Sequence, residues 1–285
     1  MEDIYYWVWL SILSLRPIEK IKLLEYFKDP KRIYLTNKKE LELLINSNDI
    51  INEIIDRKKR IESEKVIEAA IENDIKIIKC TDKLYSKSLK NIYDYPIILY
   101  CKGNSRLLNE KCISIVGCRD CSEYGKKVAE TFAYKLSKKG YTIVSGMASG
   151  IDAASHIGAL IAREKTIAVL GSGVNYIYPY INKKIYDKIL ENEGLIISEY
   201  GVNKSPIPSF FPQRNRIISG LSEKILVVEA TINSGSIITA NLAIEQGKDV
   251  YAIPGNITSI KSSGTNELIK DGAILVSSIE DIINL

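Results

Sequence analysis

The segment Phe210-Phe211-Pro212-Gln213-Arg214-Asn215-Arg216 joins two adjacent aromatics to a proline and two arginines at the start of an apparent helix. An aromatic face stacks on any nucleobase for about 1 to 3 kcal/mol, and a guanidinium neutralises phosphate, so this mixture suits a flexible single strand. The same residue types also serve a fold, with a phenylalanine in a core and Arg214 and Arg216 in internal salt bridges that tie down loops. Three upstream runs, Val116-Gly117-Cys118-Arg119, Val144-Ser145-Gly146-Met147-Ala148-Ser149-Gly150 and Leu170-Gly171-Ser172-Gly173, each end an apolar stretch in glycine. A fourth, Ala230 to Thr239, carries Ser234-Gly235-Ser236. At the carboxyl ends of strands, glycine permits close backbone approach and the next helix presents free N–H groups to an anion. Gly117, Arg119, Ser145, Gly146, Gly150, Gly171, Gly173, Gly235 and Ser236 are therefore expected to form a phosphate-binding rim. No turn matches G-x-G-x-x-G or the P-loop, so the pattern alone leaves a nucleotide, a dinucleotide and a nucleic-acid backbone open.

Little else in the chain has the spacing of a reactive centre. His156 has no serine or cysteine partner at a recognisable spacing and reads as structural, and Asp152, at the start of its helix, reads as a cap. Cys118 and Cys121 form a lone C-x-x-C with no second pair to complete a metal site. No metal and no cofactor is expected. Five scattered cysteines fit free thiols in a reducing cytoplasm.

The elements that must position these residues change character along the chain. Residues 1–70 read as a small all-helical domain, with Ile18, Ile21, Leu24 and Phe27 in one stripe and Leu41, Leu44 and Ile45 beginning another. The run Ile4 to Leu13 is too short to span a bilayer and reads as a buried first helix. Arg57-Lys58-Lys59-Arg60, interleaved with glutamates further on, reads as a solvated helix face. From about residue 75 to 285, short Ile/Val-rich runs alternate with helix-length segments, the signature of an α/β domain with a parallel sheet and crossover helices. The runs begin at Ile75, Ile97, Cys112, Tyr141, Thr166, Leu195, Ile225, Val250 and Ile274. A formal charge of +4 is too small to announce a polyanion partner, so any nucleic-acid reading rests on local residues.

The whole string from about Tyr95 onward resembles the bacterial DNA-processing protein A (DprA/Smf) family. The matching stretches include Tyr95-Pro96, Val116-Gly117-Cys118-Arg119, Ser145 to His156, Tyr178-Pro179, Ser198-Glu199-Tyr200, Phe211 to Gly220, Val228-Glu229-Ala230, Ile253-Pro254-Gly255-Asn256 and Asp271-Gly272-Ala273. The resemblance implies an extended Rossmann-like domain behind small helices of a helix-hairpin-helix type. It also implies a cytoplasmic, non-enzymatic protein that binds single-stranded DNA and loads the RecA recombinase in transformation. By position, Arg119 resembles the family's phosphate-binding arginine and Phe211 its base-stacking aromatic, with Arg214, Asn215 and Arg216 beside them. A homodimer through Leu268, Ile269 and Ile274, with Leu275, is also implied.

Several features depart from the family pattern. Ser149, Tyr180 and Pro208 stand where relatives commonly carry basic residues, leaving Lys183, Lys184 or Lys204 as substitutes. No winged-helix-like domain is expected after Asp271-Gly272-Ala273, and Ser14-Leu15-Arg16-Pro17 replaces the expected glycine-rich turn of the N-terminal helices. The competing reading is a nucleotide-binding or phosphoribohydrolase-like Rossmann enzyme with Glu229 as its acid. Its usual Pro-Gly-Gly-x-Gly-Thr turn is here Ala230-Thr231-Ile232-Asn233-Ser234-Gly235.

Overall fold

The computed structural model describes residues 2–284, the side chains of Glu2 and Arg57 excepted. Each of the nine Ile/Val-rich runs becomes a strand: β1 (Lys76–Lys79), β2 (Ile98–Gly103), β3 (Cys112–Val116), β4 (Thr142–Ser145), β5 (Thr166–Val169), β6 (Leu195–Ser198), β7 (Lys224–Val227), β8 (Asp249–Ala252) and β9 (Ile274–Leu275). They form one sheet in the order β1-β2-β6-β5-β4-β3-β7-β8-β9. Alternation along β7 shows why the runs are so apolar. Ile225 and Val227 join one hydrophobic cluster, whereas Leu226 and the following Val228 join the cluster on the other face. A strand buried on both faces has no solvent side to record in its sequence.

The sheet is parallel as expected over most of its width, with an antiparallel exception at one edge. From β6 through β9 every pairing is parallel, but β2 runs antiparallel to both β1 and β6. A parallel return usually needs a crossover helix. Between β1 and β2 lies only the four-residue helix Lys87–Lys90, and the chain doubles back instead.

Before the sheet come the helices Glu2–Ile12, Pro17–Phe27, Pro30–Leu35, Lys38–Glu42, Asn48–Ile55 and Arg57–Glu72. Trp7, Val8, Trp9 and Leu10 of the first helix are buried in the same apolar cluster as Leu99 and Tyr100 of β2, so helices and sheet share a core. Pro17 opens the second helix, where its missing N–H would be unpaired in any case, and Glu19 reaches back to accept from the Arg16 N–H at 2.8 Å. The basic run is less solvated than expected. Lys59 pairs with Glu53 and Glu62, and the Arg60 guanidinium lies 4.0 Å from the centre of the Tyr34 ring. The Arg57 side chain lies outside the described set. Among the described residues, no helix is long and apolar enough to cross a membrane.

The C-terminal apolar residues divide. Leu268, on the helix Ser263–Lys270 that covers β8, is only 5% exposed and belongs to the core, which removes it from any subunit contact. Ile269 and Ile274 are partly buried against the two clusters, and Leu275 is half-exposed on the edge strand β9.

Candidate nucleic-acid interface

Strands β4, β5 and β6 extend the sheet to one side of β3, and β7, β8 and β9 extend it to the other. At such a switch point the loops leaving the carboxyl ends of the strands splay apart and open a crevice. A crevice of about 560 Å³ lies there. It is lined by Gly117 and Arg119 after β3, Ala148 and Asp152 after β4, Tyr178 after β5, residues from Pro208 to Asn215 after β6, and Thr231 to Thr239 after β7. The helices Ile151–Ile161, Phe210–Leu221 and Gly235–Glu245 all begin at this rim, where their first-turn N–H groups lack partners within the helix.

Phe211 and Arg119 come together in the crevice, although 92 positions separate them in sequence. The Arg119 guanidinium carbon lies 5.3 Å from the centre of the Phe211 ring, and Arg119 is exposed. The Tyr178 ring sits 5.5 Å from that of Phe211, tilted by 41°. Behind this pair, Phe210 stacks on Tyr200 with ring centres 3.8 Å apart, and the Tyr200 hydroxyl donates to Gln213 Oε1 at 3.2 Å. The helix start that carries the aromatics is thus held from outside.

Arg214 is 4% exposed. Its Nη1 donates to the carbonyls of Gly146, at 2.5 Å, and Val169, and its Nε donates to Asn215 Oδ1 at 3.2 Å. Burial pulls this guanidinium down to about 10, still charged at neutral pH. Asp152 is pushed up by burial, against the pull of Arg214. Asn215 Nδ2 in turn donates to the Gly235 carbonyl at 3.1 Å and fixes the last turn of the rim. Arg216, on the opposite side of the helix from Arg214, is withdrawn from the crevice: it pairs with Glu199 at 2.5 Å and Asp94 at 3.0 Å. The internal salt-bridge reading of this arginine is the one that the geometry supports.

The glycines behave differently from the expectation of ligand approach. At Gly117, Gly146, Gly150, Gly171 and Gly173 an added Cβ would lie closer than 3.0 Å to the chain's own atoms. Gly146 leaves room for the Arg214 guanidinium, and Gly171 for the Phe211 ring. They clear space for the side chains that make the site. Gly235 alone among the expected rim glycines has nothing within 4 Å and faces open space. Ser145 is buried with its hydroxyl on the Ile115 carbonyl at 2.7 Å, and Ser236 lines the crevice beside Ser234. Lys183 lies outside the lining and pairs with Asp187 at 2.6 Å. Sequence reasoning did not single out Tyr178 as a site residue; its signal was the alternation Tyr176, Tyr178, Tyr180.

The remaining reactive side chains are tied into the fold. His156 is buried, and its Nδ1 lies 2.8 Å from Thr166 Oγ1, whose proton goes to the Ile143 carbonyl. Thr166 therefore accepts, and the imidazole carries its proton on Nδ1. Burial lowers its pKa to about 3, so it stays neutral. Asp152 is not the cap it was expected to be: Gly150 occupies the N-cap position, and the carboxylate accepts from Ala148 N–H at 3.2 Å. Cys118 is pushed up to about 12 by burial and by Glu229, away from thiolate chemistry. Glu229 accepts from the Ser122 N–H at 2.8 Å and the Ser122 hydroxyl at 2.5 Å. It lines a second cleft with Tyr124 and Asn256 and anchors the helix Glu123–Lys138 through Ser122.

The chain matches known proteins over most of its length. The family model described as DNA recombination-mediator protein A matches residues 76–285. DNA processing protein DprA of Streptococcus pneumoniae is 45% identical over 202 residues, covering 71% of either chain. Its namesake in Bacillus subtilis is 41% identical over 219 residues, covering 76% of this chain and 73% of the relative. The X-ray structure of the Streptococcus pneumoniae protein superposes with a TM-score of 0.85 at 35% identity, covering 100% of this chain and 97% of that one. A structure of DNA processing protein A from Helicobacter pylori, described for its single-stranded DNA binding mode, gives 0.65 at 35% identity over 70% of this chain and 91% of that one.

Proposed function

Because the chain belongs to the DNA recombination-mediator protein A family, we propose that its crevice binds single-stranded DNA, with a phosphate on Arg119 and a base on Phe211. The observation that carries this reading is the exposed Arg119 guanidinium 5.3 Å from the Phe211 ring, at a rim where three helices begin. A cation and an aromatic face side by side are what successive phosphates and bases of an unpaired strand require. In a duplex the base faces are stacked on one another and unavailable. Arg214 holds a positive charge beneath the floor, and Asn215 and Ser236 line the crevice beside it. Gly235 is the place where a phosphate can approach backbone N–H groups.

The same family membership supports a mediator role in recombination and transformation inside the cell, in which the bound strand is passed to the RecA recombinase. Self-association through Ile269, Ile274 and the half-exposed Leu275 on the sheet edge goes with it. Sedimentation at micromolar concentration gives a dimer on this reading, and a monomer throughout that range removes it.

A salt titration of oligothymidylate binding tests the crevice. Each phosphate neutralised on a single strand contributes about −0.7 to the slope of log affinity against log salt. Arg119→Ala is expected to lose affinity and to flatten the slope by about that amount. Phe211→Ala is expected to bind roughly fivefold to a hundredfold more weakly with the slope unchanged. Wild-type affinity and slope in both variants, shown to be folded, would remove the proposed site.

A further inference from the structure

We infer that Tyr178 and Tyr180 form a second stacking station, so that the strand continues from Phe211 along the loop after β5. The inference rests on the single-strand reading above and extends it to bases that Phe211 does not reach. The loop from Leu170 to Asn182 displays Tyr176, Tyr178 and Tyr180 at alternate positions, 44%, 45% and 72% exposed. Three exposed aromatic rings gathered on one loop make an apolar patch of the kind that marks a contact surface. Among the described residues, none of the three hydroxyls has a hydrogen-bond partner within the protein.

The loop is not a floppy tether. Ser172 Oγ donates to the Tyr176 carbonyl at 2.8 Å, and Gly173 N–H donates to the Lys204 carbonyl at 2.7 Å. Asn175 N–H donates to the Val202 carbonyl at 3.1 Å, and Asn182 Nδ2 donates to the Met147 carbonyl at 2.8 Å. Val174 is fully buried, and its carbonyl accepts from the Tyr186 hydroxyl at 2.7 Å. The backbone is anchored on both sides of the tyrosines while their rings face water. Such an arrangement presents stacking surface at low ordering cost.

Continuity with the crevice selects the occupant. Tyr178 lines it and lies 5.5 Å from Phe211 with the rings inclined at 41°, so the two rings share a wall. Tyr180 stands two residues further out, at the start of the short helical turn Tyr180–Asn182. A strand with one base on Phe211 meets Tyr178 next and Tyr180 beyond it. Lys183 close by is paired with Asp187, so the tyrosine rings themselves are the groups that this loop presents beside the crevice. The station is therefore expected to add affinity that salt does not screen.

Oligothymidylates of increasing length, some carrying a fluorescent purine analogue quenched by stacking, test the inference in the full chain. Tyr178→Leu and Tyr180→Ala are expected to weaken binding of the longer strands roughly fivefold or more, with the salt slope unchanged, and to restore emission of the analogue. Tyr178→Phe and Tyr180→Phe keep the ring and are expected to bind as the wild type does. Tyr180→Lys is expected to steepen the slope by about 0.7, since a cation at this point meets a phosphate. If the wild type and Phe211→Ala behave as proposed while the tyrosine variants bind as wild type and Tyr180→Lys leaves the slope alone, the second station is overturned and the crevice stands. If the wild type binds no oligothymidylate, the crevice reading itself falls. A change in sedimentation without any change in strand binding assigns the tyrosines to a contact between copies and also overturns the station.

Discussion

Arg216 donates from Nη2 to Glu199 Oε2 at 2.5 Å, with both side chains largely withdrawn from water. Burial works against the guanidinium's charge, but Glu199 and Asp94 more than offset it and raise its pKa. The pair fastens the helix Phe210–Leu221 to the turn after β6, next to the Tyr200 ring that backs Phe210. Arg216→Met leaves the Glu199 carboxylate buried without its main partner, and is expected to cost about 3 to 5 kcal/mol in urea unfolding. Where enough folded protein remains, the salt slope of single-strand binding should equal that of the wild type. A flattened slope would place Arg216 on phosphate after all.

Gly146→Ala tests how closely Arg214 is held. The new methyl would lie 2.6 Å from the guanidinium, which cannot keep its bonds to the Gly146 and Val169 carbonyls. A loss of about 2 kcal/mol is expected, the scale of a hydrogen bond to a charged group, and strand affinity should fall with it. An unfolding midpoint equal to that of the wild type would mean that Arg214 has room to move.

Gly235→Ala separates fold from binding at the opposite rim. Gly235 is the first residue of the helix Gly235–Glu245, and a Cβ there meets nothing within 4 Å. Alanine is the better helix former by up to about 1 kcal/mol, so stability is expected to hold or rise. If a phosphate approaches the backbone here as proposed, the methyl stands in its way, and strand affinity is expected to drop severalfold. Unchanged binding, measured by anisotropy of a labelled oligothymidylate, would remove this turn from the interface.

His156 should make the protein sensitive to mild acid. Its pKa is lowered to about 3 in the fold, against 6.5 for the free side chain. Between those values the unfolded chain binds a proton that the folded chain refuses, so the contribution of His156 is intact above 6.5 and declines as pH falls. The slope is about 1.4 kcal/mol per pH unit, or about 2 kcal/mol on going from pH 6.5 to 5. In His156→Asn, whose amide can still donate to Thr166, that part of the acid sensitivity is expected to vanish. Equal pH dependence of unfolding in the two proteins would count against it.

The sequence by itself determined the strands and the family. Runs such as Cys112–Val116 and Leu195–Ser198 are apolar at almost every position because both faces are covered, and Gly117 directly after the first marks the end of that strand. Phe211 and Arg119 were legible as well, through residue type and position along a familiar pattern. What local pattern cannot carry is direction and partnership. The antiparallel course of β2 depends on where a connection lands across the sheet, and a strand's composition is the same in either sense.

Tertiary structure alone decided how the charges and glycines are used. Arg214 and Arg216 look equivalent in a string, yet one lies under the crevice on carbonyl oxygens and the other is bound by two carboxylates from distant segments. The two residues point to different sides of their helix, and only the packed neighbours tell which side holds Glu199. The same holds for glycine: Gly146 and Gly171 empty a space that Arg214 and Phe211 fill, whereas Gly235 opens onto solvent. A missing side chain leaves room, and what enters that room is settled by chain segments far away in sequence. Leu268 joined the core for the same reason, because the helix that carries it lies on β8 and burying its apolar side against the sheet removes that surface from water.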